Sequence, residues 1–569
     1  MNDTAGPRQL VLLCDGTNNN LTGGRDDTNV VRLAELLSAC PDPQRLVYYD
    51  PGVGNAGELP GATLWDTARR TSERIAGLAF GRGVYENMVE SYQFLMNHYQ
   101  PGDQIFVFGF SRGAFTARSV AGLVNQFGLL EPHMVSMLPT LLHLYFADRG
   151  DAELWKNISA QTSRLFATEQ ARAVEIQFVG VWDTVATVGM WPFDARFSAV
   201  PTLAGKRFVH VRHALALDEQ RAQFKPRLYA EPNGPIRTKS GQLGSVRQLW
   251  FRGVHCDVGG GFEPEQAVLS REALCWMVSE AVQCGLRLQH QGHDLVTEPA
   301  VAGLLGQLHA DAPPEAQAVS HSQLHGTCLW ALTGMAVRDV HHVSLDDLPD
   351  VPITPEAHPS VATLATRWPQ DSVWRRQTRP SRAMWVCLLL LPLLAVALGQ
   401  QLHGLPPRPA TPGQDLLFSW QHAAAFLQAN ADFALWQLMG PFHAPWACQL
   451  AYACSPRWTL LWDLFFIAGY AYVLSWWATA AFARRAALRQ TADHAPKWLN
   501  RLGWALPVLV AGDLAENLFT FLTLSFGGID ATVLGLGASV LMALGAAVKW
   551  AGLAGTLALI AWGWLMPRR

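Results

Sequence analysis

The sequence predicts an α/β fold, a mainly parallel sheet with helices on both faces, followed by an all-α transmembrane domain of about four helices. Three observations predict it. Short apolar runs at 9–14, 46–49, 105–108, 176–182 and 248–254 alternate with segments of helical character, as in a buried parallel sheet. Several of these runs end in small, polar or charged residues, and a parallel sheet gathers its reactive groups at the carboxyl ends of its strands. Charge is also uneven: residues 381–569 carry 18 of the 89 charged side chains, and long apolar runs fill that part. We expect domains at 1–375 and 376–569; a chain of 569 residues exceeds one ordinary domain.

The first run, QLVLLC (9–14), is a strand leading into Asp15-Gly16-Thr17. The N-terminus lacks a basic n-region, so it is not expected to be a signal peptide. Small and polar residues after a strand leave backbone N–H groups available. Gly16 or Thr17 is a candidate oxyanion donor, against the plainer reading of a turn. Asp27-Thr28-Asn29 supply a capping residue for a helix over VVRLAELL, residues 46–49 form a second strand, and 83–99 reads as a helix.

The next strand runs into Gly109-Phe110-Ser111-Arg112-Gly113, and a helix-like segment follows. Strand, G-x-S-x-G, helix is the nucleophile-elbow pattern. Gly109 and Gly113 make room for the turn that holds the Ser111 hydroxyl out. The Arg112 N–H, at the helix start, can meet an oxyanion.

Residues 140–172 read as helix. The strand 176–182 then delivers Asp183, whose plainer reading is a turn or a cap. VHVRHALALDEQ (209–220) reads as a helix, and its His210, His213 and Asp218 are rival candidates for the site that, mid-segment, read better as packing or salt-bridge residues. The strand 248–254 meets His255-Cys256-Asp257 and a glycine run, placing His255 on a strand-end loop.

Ser111, Asp183 and His255 each follow a separate strand, in the chain order of the α/β-hydrolase triad. Imidazole takes the serine proton near neutral pH, and a carboxylate fixes its tautomer. Asp257 is the alternative acid, although two residues from His255 it suits loop ordering better. Asp15, Asp183 and Asp257 around a cation such as Ca²⁺ is a weaker reading, because such sites recruit more carboxylates. Neither a metal nor a cofactor is expected. Net charge is -3, so nucleic acid is not an expected partner, and the scattered cysteines indicate neither zinc nor a disulfide framework.

CDGTNNN (14–20), TNVVRL (28–33), GFSRGAFTAR (109–118), VWDTV (181–185), RHALALDE (212–219) and WFRGVHCDVGGGF (250–262) resemble a bacterial and fungal hydrolase family. That family includes the first class of type VI secretion phospholipase effectors. The resemblance covers roughly 8–375, thinning after 265 to HPSV (358–361). It implies an α/β-hydrolase fold and a triad of Ser111, Asp183 and His255. It also implies a phospholipid substrate and, for an effector-like enzyme, a regulatory or immunity-type protein partner. Cys14 stands where the family pattern has an aromatic residue, a packing change beneath the site.

Spans are expected at about 383–399, 464–482, 502–526 and 545–566, with 416–439 and a split of 531–566 as alternatives. Arginines and lysines before the first span, between the second and third, and after the last place both termini and the hydrolase domain inside. This predicts a multi-pass protein of the inner, cytoplasmic membrane. Asp513, Glu516 and Asn517 share one helical face in the third span, with Lys549 as candidate partner. Such groups mark either a structural ion pair or an ion or lipid pathway. Cys448 and Cys454 lie in the outer segment, where a disulfide is allowed. The sequence therefore reads as a membrane-anchored serine hydrolase for lipid esters. The alternatives are a non-phospholipid esterase and a non-catalytic lipid sensor.

Overall fold

The computed structural model describes residues 6–16, 27–52, 82–146, 152–185, 206–308 except 265, 321, and 329–361 with short gaps. It also describes 386, 390, 391, 456–487, 497–525 and 533–565. The chain divides into two compact units. One holds Met1–Glu219, Phe224–Ser322 and Arg338–Gln370; the other holds Gln220–Gln223, Gln323–Val337 and Asp371–Arg569.

The first unit is an α/β domain. Its strands are β1 (Gln9–Cys14), β2 (Arg45–Asp50), β3 (Gln104–Phe110), β4 (Ile176–Trp182), β5 (Phe208–Ala216), β6 (Gly234–Arg237), β7 (Leu243–Phe251) and β8 (Glu356–Ala357). The sheet order is β8-β7-β5-β4-β3-β1-β2; all these pairings are parallel, and β6 adds antiparallel to β7. The alternation within strands feeds two cores. Leu10, Leu12, Ile105 and Val107 enter one, and Val11, Leu13, Phe106 and Phe108 enter the other. Both faces are buried, which is why these strands read as near-continuous apolar runs.

Helices α1 (Asn29–Ala39), α2 (Arg82–His98), α3 (Ser111–Phe127), α4 (Leu138–Phe146), α5 (Ala152–Phe166), α6 (Glu169–Arg172), α7 (His255–Gly259), α8 (Val268–Gln283) and α9 (Glu298–Leu308) connect and cover the strands. Thr28 caps α1, its hydroxyl accepting from the Val31 N–H. β2 and β3 lie on opposite sides of β1, so the winding direction switches between β1 and β3. A crevice opens outside the carboxyl ends of the strands at such a switch. Asp15 and Ser111 directly follow these two strands.

Two sequence expectations are corrected here. Residues 209–220 are not a helix: 208–216 form β5, paired with β4 and β7. Good helix formers such as Ala and Leu yield to tertiary context, because the segment fills the central slot of a sheet buried on both faces. His255 is not on a loop either. It opens the short helix α7, whose first turn is closed by Asp257 accepting from the Val254 N–H (2.9 Å).

The second unit contains α10 (Pro456–Ala487), α11 (Lys497–Leu502), α12 (Ala505–Ser525) and α13 (Val533–Leu565). Among the described residues, three stretches are long and apolar enough to cross a membrane: Asp463–Phe482, Trp498–Leu522 and Val540–Gly563, with mean hydropathy 1.4, 1.4 and 1.6. The 33-residue α13 is one continuous helix, not two short spans. Of the expected first span, 383–399, only 386, 390 and 391 are described, all helical. Residues 416–439, Cys448 and Cys454 lie outside the described residues. α12 and α13 meet backbone to backbone. A Cβ on Gly512 would lie 2.4 Å from the Lys549 N, and one on Gly552 2.3 Å from the Leu509 N.

Candidate active site

β3 ends at Phe110 and α3 begins at Ser111 with no residue between them. The chain reverses so sharply that Ser111 takes φ +58°, in the left-handed region. A non-glycine residue is strained there. Gly113 cannot carry a side chain, because a Cβ would lie 2.2 Å from the Cys14 carbonyl oxygen and 2.3 Å from that of Asp15. The loop after β1 is thus pressed against the turn. Among the described residues three non-glycine positions have positive φ: Ser111, Asp183 (φ +40°) and Gln291. Two of the three are predicted site residues.

The structure brings Ser111, His255 and Asp183 into one hydrogen-bonded chain. The Ser111 hydroxyl lies 2.7 Å from His255 Nε2, and His255 Nδ1 lies 2.6 Å from Asp183 Oδ2. With the hydroxyl and Nδ1–H as donors, Nε2 is left as the acceptor, the arrangement a general base requires. The imidazole packs against the Phe110 ring (4.7 Å between centroids) and the edge-on Phe224 ring (5.0 Å). Its backbone N–H donates to Glu219 Oε2 (3.2 Å). All three residues are buried, Ser111 the most exposed of them at 9%.

Asp183 is fully buried, yet it accepts from four donors: the Ala216 N–H (3.0 Å), His255, and Arg338 through both Nη1 (2.5 Å) and Nη2 (2.8 Å). Burial by itself pushes this carboxyl up. The Arg338 guanidinium, with His255, overcomes that and holds it well below the usual carboxylate range. Nothing in the sequence around Arg338 announces this role. Glu219 was within reach of sequence reasoning, since it closes the RHALALDE segment.

Asp257 does not hydrogen-bond to the His255 ring. Its oxygens accept from the Val254 and His321 N–H groups (2.9 Å each) and pair with His321 Nδ1 (2.5 Å). Asp15 accepts from the Gly16 N–H (2.6 Å), the Thr28 hydroxyl (2.9 Å) and the Tyr49 hydroxyl (2.8 Å). The Gly16 N–H, a candidate oxyanion donor, is therefore directed at Asp15, and Thr17 lies outside the described residues. Burial pushes the Asp15 carboxyl up to about 6 against these three hydrogen bonds.

Of the rival candidates, His213 lies beneath Asp183 and accepts from the Thr184 N–H (3.2 Å). Burial, then the Arg118 charge, pushes it down to about 3, so its ring is neutral. His210 meets the Ser245 hydroxyl (3.0 Å), and Asp218 accepts from the Gly253 N–H (2.7 Å).

In the membrane-like unit, Lys549 Nζ reaches Asp513 (3.3 Å) and also Glu516. Tyr470 donates to Asp513 (2.5 Å), and Asn517 donates to Asp463 (2.6 Å). Lys549 thus contacts both predicted acids.

Residues 8–280 match the family described as T6SS, phospholipase effector Tle1-like, catalytic domain. This is the family that the sequence motifs resemble. An uncharacterized protein of Saccharomyces cerevisiae, YEL023C, is 30% identical over 232 residues, covering 38% of this chain and 32% of that protein. The chain therefore matches about a third of the length of this relative. The crystal structure of an uncharacterized protein from Pseudomonas aeruginosa overlaps 90% of this chain and 67% of that one at 17% identity. Its TM-score of 0.30 is too low to establish a shared fold.

Proposed function

Proceeding from the match of residues 8–280 to a phospholipase effector catalytic domain, we propose that this protein is a membrane-anchored serine hydrolase that cleaves acyl esters of glycerophospholipids. The hydrogen-bonded chain Ser111–His255–Asp183 carries the reading. Ser111 Oγ attacks the ester carbonyl carbon while His255 Nε2 takes its proton. Asp183 stabilises the imidazolium. The tetrahedral adduct collapses, His255 returns the proton to the departing alcohol, and an acyl-serine remains. Water, activated by the same imidazole, releases the fatty acid. The Arg112 N–H would serve as one oxyanion donor, a role that its place in the first turn of α3 supports. A second would come from Gly16 or Thr17; Gly16 first has to release its bond to Asp15.

Arg112 also favours a phosphate-bearing substrate. Burial pushes its guanidinium down to about 10, and the first turn of α3 holds no acidic residue. A cation there opposes the helix dipole. An anionic headgroup would offset both costs. In this reading the apolar helices serve to anchor the enzyme beside its substrate, which their length and hydropathy support, and the basic loops support a cytosolic hydrolase domain. A regulatory or immunity-type protein partner belongs to the same reading, because such an enzyme threatens its own membrane.

Ser111→Ala and His255→Ala are expected to lower phospholipid turnover by at least ~10³-fold with folding intact. Asp183→Asn should do likewise, and Asp257→Asn should cost less. A fluorophosphonate probe should label the wild-type protein and not the Ser111→Ala protein. Unchanged turnover in Ser111→Ala overturns the reading. Esterase activity confined to non-phospholipid substrates would restrict it to a general acyl esterase.

A further inference from the structure

The geometry points to Arg338 as a positioning residue that keeps the Asp183 carboxylate ionised, fixes its plane, and so sets the lower pH limit of Ser111 activation. The inference rests on the serine hydrolase reading above.

Asp183 sits in a place where a lone carboxylate would not stay charged, since it is 0% exposed. An ionised carboxylate out of water is costly unless it is paired and hydrogen-bonded. His255 is neutral before reaction, so it supplies a hydrogen bond and no full charge. The compensating charge is Arg338. Its two terminal nitrogens meet the two carboxylate oxygens at 2.5 and 2.8 Å, the fork-to-fork geometry of a bidentate pair. The same nitrogens donate to the Ala216 and Phe224 carbonyl oxygens, each at 2.6 Å. The guanidinium is thereby held on both sides, and it holds the carboxylate plane in turn. Arg338 lies beyond the matched catalytic region, which ends at residue 280.

This arrangement has a consequence for pH. A carboxylate that shares its charge with a guanidinium stabilises an imidazolium less than an unpaired carboxylate would. His255 then stays unprotonated, and able to accept the serine proton, at lower pH. With the guanidinium removed, two imidazoles face Asp183: His213, which burial keeps neutral, and His255, which is hydrogen-bonded to it and can carry the neutralising proton. The imidazolium–carboxylate pair becomes favoured, and the acid limb of activity moves to higher pH.

The experiment uses the full-length protein in detergent. The pH dependence of Ser111 labelling by a fluorophosphonate is compared in wild type, Arg338→Met and Arg338→Lys, each rate being normalised to the fraction that labels at completion. The acid limb of Arg338→Met should lie about one pH unit above that of wild type, with the limiting rate lowered roughly 100-fold. Arg338→Lys keeps the charge without the fork. Its limb should stay near wild type while its rate remains low. A merely structural role would reduce the labelled fraction and leave the limb in place, and an unmoved limb in Arg338→Met overturns the inference. If Arg338→Met does not fold, a displaced limb in Arg338→Lys overturns it as well. The two readings fail separately: labelling without phospholipid turnover counts against the proposed substrate alone, and no labelling of wild type defeats both.

Discussion

A carboxylate stays buried only where donors surround it, and the α/β unit buries Asp15, Asp50, Asp183 and Asp257 in different ways. Asp183 has a guanidinium, Asp257 has His321, and Asp15 and Asp50 have neutral donors alone. The last two are held less well. Burial raises the Asp50 carboxyl to about 6, with hydrogen bonds from the Gly52 N–H and Asn87 Nδ2 acting against it. An unfolded aspartate ionises near 4. The folded state therefore retains its proton between about pH 4 and 6, and this contribution to stability is lost as pH rises through that window. The Gly52 and Asn87 donors both approach Oδ1, so asparagine can replace Asp50 and keep an acceptor there. Asp50→Asn should be more stable than wild type at pH 7 by roughly 2 kcal/mol, with a flatter melting-temperature profile between pH 4 and 6. Thermal melts across that range check it; an unchanged slope would mean that Asp50 does not bear the cost.

At the scale of elements, two close approaches do most to place functional side chains. The elbow between β3 and α3 presses on the loop after β1 through Gly113. The pairing of α12 with α13 depends on Gly512 and Gly552, and it brings Lys549 onto Asp513 and Glu516. Within a membrane-crossing bundle, removing one partner leaves an uncompensated charge, which typically costs more than the pair contributed. Lys549→Met should therefore lower the melting temperature of the detergent-solubilised protein, and adding Glu516→Gln should recover part of the loss. A double-mutant cycle measures the coupling. Additive effects would show that the contact does not bear on stability.

Over the whole molecule, an apolar helical unit accompanies an α/β unit, and the distribution of basic residues bears on orientation. Four arginines precede residue 383, five basic residues lie between 484 and 501, and two end the chain. Read by the positive-inside rule, this places a reporter fused after Arg569 in the cytoplasm and one near Pro412 outside it. Accessibility labelling of cysteines introduced at those two places distinguishes the arrangements. Opposite sidedness at both would reverse the orientation, and the hydrolase site would then face the exterior leaflet.

Much of this protein is legible in its sequence because local patterns encode burial. Apolar runs ending in Asp15, Ser111 and Asp183 announced strands, G-x-S-x-G announced the elbow, and the order Ser111, Asp183, His255 announced the hydrogen-bonded chain. The segment 209–220 reads as a helix from sequence although 208–216 is a strand, since a run of valines, alanines and histidines suits either state until its neighbours are known. Only the tertiary structure decided that β4 and β7 flank this segment, that Asp15 takes the Gly16 N–H, and that Arg338 clasps Asp183 from 155 residues away. Periodicity reports which face of an element is buried. Which charge meets which carboxylate depends on how distant elements are brought together, and no local pattern carries that.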